Sequence, residues 1–160
     1  MQIVTVETEI AAPPERCFLL SLNIDVHMAS TAQTRERAVD GVTHGTIGLG
    51  ETVTWRGRHF GFMLTHKTLI SKYEMPRYFQ DIMLEGMFRS FVHDHWFESK
   101  GNGTLMHDEL QFEAPLGPLG LIAEKLVLGS YLKRFLVERN VEIKRIAEAG
   151  PEVWESFVTR

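Results

Sequence analysis

The chain has 160 residues, 44% of them hydrophobic and 24% charged, the size and composition of one folded domain with a single core. A net charge of −4 with no Lys/Arg cluster among aromatics argues against nucleic acid as a partner. The lone Cys17 excludes an internal disulfide, MQIVTVETEIAAPPE lacks the basic and apolar regions of a secretory leader, and no apolar run reaches the ~18 residues of a transmembrane segment, so a cytoplasmic location is expected.

Gln2 to Ile10 is rich in β-branched residues and reads as a first strand. Ala12-Pro13-Pro14-Glu15 stops it. Proline in a first helical turn and Glu15 at the positive end of the dipole predict a helix from about Pro13 to Ser21, with Cys17, Phe18 and Leu20 inward. A second short helix is expected around Asn23 to Ser30. From about Arg35 to Pro115, β-rich segments recur between Gly, Asn and Pro, the pattern of an antiparallel meander. Six strands are predicted: Arg35 to Asp40, Glu51 to Phe60, Met63 to Glu74, Arg77 to Glu85, Phe88 to Ser99 and Thr104 to Ala114. Lys100-Gly101-Asn102-Gly103 has hairpin chemistry, whereas the glycine-rich Gly41 to Gly50 reads as a flexible rim or lid.

After Pro115-Leu116-Gly117-Pro118 the apolar spacing turns helical through Leu119, Ile122, Leu126, Leu132, Leu136, Ile143 and Ile146. One helix of roughly 30 residues is predicted, with Gly129 in its middle and Gly150-Pro151 as its stop. Residues 1–150 then form one domain, and 151–160 a loosely docked tail carrying Trp154 and Phe157. The predicted class is α+β, a curved antiparallel sheet in the order β-α-α-β6-α around a long C-terminal helix. Where such a helix covers only part of the concave face, an internal cavity remains.

This order, with "IAAPPERCF" (Ile10 to Phe18), "TWRGRHFG" (Thr54 to Gly61), "PRYFQDIMLEGMFRSFVHDHWF" (Pro76 to Phe97) and "GTLMHDELQFEAPLGPLG" (Gly103 to Gly120), resembles the SRPBCC superfamily of START, Bet v 1 and polyketide-cyclase-like proteins, and within it the bacterial ligand-binding subgroup. The resemblance spans about Gln2 to Glu148. It implies the helix-grip fold and no established reaction. Met87 departs from the proline expected after Gly86 in that subgroup.

Alternation assigns one face of each strand to the interior. Phe91, His93, His95 and Phe97 form the face without acidic residues. Their inward companions are Phe79, Asp81 and Met83 on the preceding strand, with Tyr78, Gln80, Ile82 and Leu84 as the competing face, and Thr104, Met106, Asp108, Leu110 and Phe112 on the following one. Val53, Trp55, Gly57 and His59 share a face of an earlier strand. The expected ligand-binding set is therefore Trp55, His59, Phe79, Asp81, Phe91, His93, His95, Phe97, Met106, Asp108, Leu110 and Phe112. Arg139 and Glu142 are candidates to cap the pocket. His27, His44, His66 and His107 have no evident partners and most of them are expected at the surface, and Cys17 as a buried inert thiol.

His93 and His95 admit three readings. A metal site needs a third ligand from His59, Asp81 or Asp108; His-x-His on a strand is a short, common pattern, and neither metal nor cofactor is expected. A catalytic reading makes His93 or His95 an acid–base group oriented by Asp81 or Asp108, in a cyclase/dehydratase- or hydrolase-type enzyme. The third, on which the expectation settles, is a polar network that orients a hydrophobic small molecule (a lipid, polyketide or other ring compound) in a carrier or sensor. An interaction module, with Trp154 and Phe157 docking a partner or a second copy as a homodimer, is a further alternative.

Overall fold

In the computed structural model, residues 1–115, 117 and 127–158 are described. The elements are β1 (Gln2–Ile10), α1 (Pro14–Ser21), α2 (Ile24–Ser30), β2 (Arg37–Gly41), β3 (Thr52–His59), β4 (Phe62–Glu74), β5 (Tyr78–Glu85), β6 (Ser90–Lys100), β7 (Gly103–Glu113), α3 (Gly129–Ala147) and α4 (Pro151–Val158). Each predicted strand is present, with ends moved by a residue or two. The strands form one antiparallel seven-stranded sheet in the order β1-β7-β6-β5-β4-β3-β2.

Short turns set the register. Lys100 pairs with Gly103 across a two-residue turn whose Gly101 has φ +59°, a conformation that only glycine adopts freely. From that turn, β6 and β7 pair without a slip, so His95 faces Asp108 and His93 faces Leu110. Across β5, Asp81 faces His93 and Phe79 faces His95. Register shifts in β4–β5, at Lys67/Thr68 and Ile70/Lys72, and in β2–β3, at Ala38/Asp40, are the kind of irregularity that bends a sheet and increases its twist. The sheet curls around α3.

Helix α1 begins at Pro14, with Glu15 in its first turn, and buries Cys17, Phe18 and Leu20. Phe18 meets Tyr73, Phe79 and Phe97 edge-on, with centroids 5.1, 5.6 and 5.4 Å away. Asn23 caps α2, its side chain accepting from the Asp25 and Val26 backbone N–H groups at 3.0 Å. Helix α3 turns Leu132, Leu136, Arg139, Asn140, Ile143 and Ile146 inward. Its predicted beginning at Leu119, Ile122 and Leu126 lies outside the described residues. Gly129 is the first residue of the described helix, and Leu128 before it already has helical dihedrals (φ −67°, ψ −40°).

Two expectations need correction. The Gly41 to Gly50 connection is not a free lid. Thr46 bridges to Asn23, the Gly45 N–H donates to Asp25 at 2.9 Å, the Ile47 N–H donates to Leu22 at 3.1 Å, and the Ile47 side chain is buried. Glycine lets this segment follow the surface of α1 and α2, and groups from that helical region then fix it. Residues 151–158 are likewise not a loose tail but the helix α4. The Arg16 guanidinium lies 4.3 Å from the Trp154 ring centre, and the Asn23 amide donates to the Phe157 carbonyl at 2.8 Å.

Candidate functional site

A cavity of about 170 Å³ opens between the sheet, α2 and α3, with a wall that is mostly apolar. One buried water needs ~10–15 Å³, so the space has room for more than water alone. Trp55, His59, Phe79, Asp81, Phe91, His93, His95 and Leu110 line it. Asp108, Phe97, Met106 and Phe112 do not. They share the inward face but are fully packed: Phe97 against Phe18, Met106 against the Ser21 hydroxyl, and Phe112 edge-on to Phe88. Alternation identifies the face of a strand, and the positions of α1 and α3 decide which inward residues are covered.

One polar cluster joins β5, β6, β7 and α3. The His95 ring lies between two carboxylates, with Nε2 2.9 Å from Asp81 Oδ2 and Nδ1 2.8 Å from Asp108 Oδ1. His93 spans the same pair less closely, 3.8 Å from Asp81 and 3.2 Å from Asp108. Its ring centre is 3.8 Å from that of His95. The contacts of both rings with Asp108 Oδ1 are at ion-pair distance but off the hydrogen-bond direction, leaving these three buried atoms without an aligned partner. Asp108 Oδ2 accepts from the Asn140 amide at 2.6 Å, and the Arg139 guanidinium lies 3.5 Å from Oδ1.

Burial pushes the Asp108 carboxyl up, but the adjacent His93 and His95 prevail and hold it well below the usual range. Asp81 is lowered likewise, burial being outweighed by the His95 hydrogen bond and the neighbouring positive charge. Burial and the charge of His95 lower His93. His95 is raised, because Asp108 and Asp81 together outweigh its burial. Two buried carboxylates thus face the Arg139 guanidinium and two imidazoles, of which His95 holds a proton more readily than His93; such pairing is how buried charges are tolerated.

A second cluster lies on another part of the wall. Glu36, from the segment between α2 and β2, takes His27 Nε2 at 2.7 Å and His59 Nε2 at 2.9 Å. His59 Nδ1 is 2.7 Å from the Tyr131 hydroxyl. When His59 is neutral, its one ring hydrogen goes to Glu36, so Tyr131 donates to Nδ1. Burial raises the Glu36 carboxyl, and the hydrogen bonds from His27 and His59 more than reverse this, to about 2. Gly57 makes the space: a Cβ there would lie 2.5 Å from Glu36 Cγ. His27 also stacks on Trp55 with ring centres 4.0 Å apart.

Of the four histidines without an evident partner in the sequence, most of which were expected at the surface, His27 and His66 line the cavity, His66 edge-on to Phe91 and lowered by burial. Sequence reasoning missed Glu36 and Tyr131 altogether. Their partners come from other elements, so no local spacing announces them, although the glycine between Trp55 and His59 was a trace of the Glu36 seat. Arg139 is at the cavity as expected, whereas Glu142 pairs with Arg145 at 2.6 Å on the exposed side. His44 lies near Asp25 and His107 near Glu7, at or near the surface.

No family model matches the chain, and no curated protein does. Solved structures do. TTHA0849 of Thermus thermophilus superposes with TM-score 0.70 at 18% identity, over 89% of this chain and 97% of that one. Major latex-like protein 151 of Panax ginseng gives 0.64 at 17% identity, over 92% and 98%. Ara h 8.0201 gives 0.60 at 12%, over 89% and 97%. At such identities the likeness concerns the fold. A seven-stranded antiparallel sheet curled around its C-terminal helix, shared along nearly the full length of these proteins, gives the chain the helix-grip fold.

Proposed function

We propose that the protein binds one small hydrophobic molecule carrying polar groups, a lipid fragment, polyketide or other ring compound, as a cytoplasmic carrier or sensor. The observation that carries this reading is the apolar cavity with hydrogen-bonding groups converging on it from two clusters, the general form of a small-molecule site. Trp55, Phe79, Phe91 and Leu110 supply apolar contact, and His59, Asp81, His93 and His95 orient the polar groups of the ligand. Phe97, Met106, Asp108 and Phe112 support this wall from behind. Native mass spectrometry of the purified protein tests the proposal: a co-purified small molecule is expected, and a cavity that takes up no apolar compound overturns it.

A second reading, an acid–base enzyme of the cyclase/dehydratase or hydrolase type, is favoured by His93 and Asp81 standing together on the cavity wall. It requires turnover whose pH dependence disappears in His93→Ala or His95→Ala. Equal rates in both variants would remove these residues from any mechanism.

A further inference from the structure

We propose that Asp81, His93 and His95 form a binding site for one divalent transition-metal ion of the zinc class, held on the cavity wall. Their ligating atoms all lie within 4.8 Å of one another. Zinc bonds to nitrogen and carboxylate oxygen are about 2.0–2.2 Å, so a tetrahedral set places its ligand atoms roughly 3.3 Å apart. The distances from Asp81 Oδ2 to His95 Nε2, 2.9 Å, and to His93 Nδ1, 3.8 Å, lie on either side of that value. The third spacing, between the two imidazole nitrogens, falls within the same 4.8 Å.

The outer side of each ring supports the same assignment. Metal-binding imidazoles characteristically direct their remote N–H to a carboxylate, which fixes the tautomer and leaves the inner nitrogen as a lone pair. Here one buried carboxylate, Asp108, stands beside both remote nitrogens at ion-pair distance, though out of line for a hydrogen bond: His93 Nε2 is 3.2 Å and His95 Nδ1 2.8 Å from its Oδ1. Asn140 anchors its other oxygen at 2.6 Å. In the metal-free arrangement His95 Nε2 hydrogen-bonds Asp81 at 2.9 Å; a metal ion selects the other tautomer, in which the hydrogens sit on the Asp108 side and His93 Nδ1 and His95 Nε2 present lone pairs toward the Asp81 carboxylate. Lone pairs and an anion repel unless a cation stands among them. A second proton on His95 is one such cation, and a metal ion is the other.

The frame is rigid. Asp81 and His93 are directly opposed in the β5–β6 register, and His95 is the next residue on the same face. None of the three ligands depends on a loop. All three also line the cavity, so a fourth coordination position opens toward any molecule bound there. Closed structural zinc sites use four protein ligands; three with an open position is the pattern of sites that meet an exogenous molecule. Two nitrogens and one oxygen suit zinc, cobalt or ferrous iron better than calcium or magnesium.

The test uses the full chain, stripped with a chelator and free of organic ligand. Zinc is titrated by calorimetry, and cobalt by its visible absorption, which reports the coordination geometry. The expected result is one ion per chain, with zinc displacing cobalt. His93→Ala and His95→Ala should each weaken binding by about 100-fold or more, and Asp108→Asn by about 10–100-fold through the ring contacts. Asp81→Asn keeps the question answerable if the histidine variants fail to fold. A His44→Ala/His107→Ala control should bind as the parent does. Folded protein that binds no ion, or zinc affinity unchanged in the His93, His95 and Asp81 variants, overturns the site. Binding of an apolar fluorophore to the metal-free protein is scored separately, so failure of the metal site is distinguishable from failure of the cavity.

Discussion

Glu36 shows what one buried carboxylate does in this cavity. Its side chain is 10% exposed and holds two imidazoles. Its folded pKa, about 2, lies below the ordinary value of 4.5, so its contribution to stability is complete above pH 4.5 and is lost as pH falls from 4.5 to about 2. A shift of that size corresponds to a contribution on the order of 3 kcal/mol. Glu36→Gln is expected to lose most of it at pH 7 in urea unfolding, and to show a flatter pH dependence over that window; an unchanged slope would show that the imidazole contacts contribute little. Gly57→Ala tests the same seat from the other side. With a Cβ only 2.5 Å from Glu36 Cγ, the strand or Glu36 must move, at an expected cost of about 1–3 kcal/mol. At this scale His93, His95 and Asp81 were legible because strand alternation is a local rule. Glu36, His27 and Tyr131 were not, since their partners are distant in sequence.

Among the elements, strands were the most legible, because Gly101, Met75-Pro76 and Gly86 mark their ends and a hairpin transmits its register without further information. The helical parts were less so. Gly41 to Gly50 looks flexible by composition, yet Asp25 and Leu22 of the neighbouring helical region hold it. Helix α4 is eight residues long, too short to be stable alone, and its packing is completed by Arg16 and Asn23. Trp154→Ala should therefore detach or loosen α4 at a cost of about 1–2 kcal/mol, visible as a lower Tm, while the cavity still binds its probe. Loss of probe binding together with α4 would show that the helix supports the cavity wall. Asn140 couples α3 to the sheet. Asn140→Ala leaves Asp108 Oδ2 without its donor and is expected to cost about 1–3 kcal/mol in chemical unfolding. A neutral result would mean that Arg139 alone holds the carboxylate.

For the molecule as a whole, the fold was legible from element order, and the shape of its interior was not. An inward-facing strand residue can pack against a helix or stand open to a cavity, and the placement of α1 and α3 separates Phe112, Met106, Phe97 and Asp108 from Phe91, Leu110, Phe79 and Asp81. That placement leaves an apolar space with polar groups in its wall, and among the described residues no helix is long and apolar enough to cross a membrane. The central claim is that this space takes one small hydrophobic molecule. Its most direct test is the titration of an environment-sensitive apolar fluorophore into the parent protein and into Leu64→Trp, a half-buried wall position where a larger ring fills the cavity. One fluorophore bound per parent chain, with binding lost in folded Leu64→Trp, is the predicted result. No binding to the parent, or equal binding to both, would contradict it.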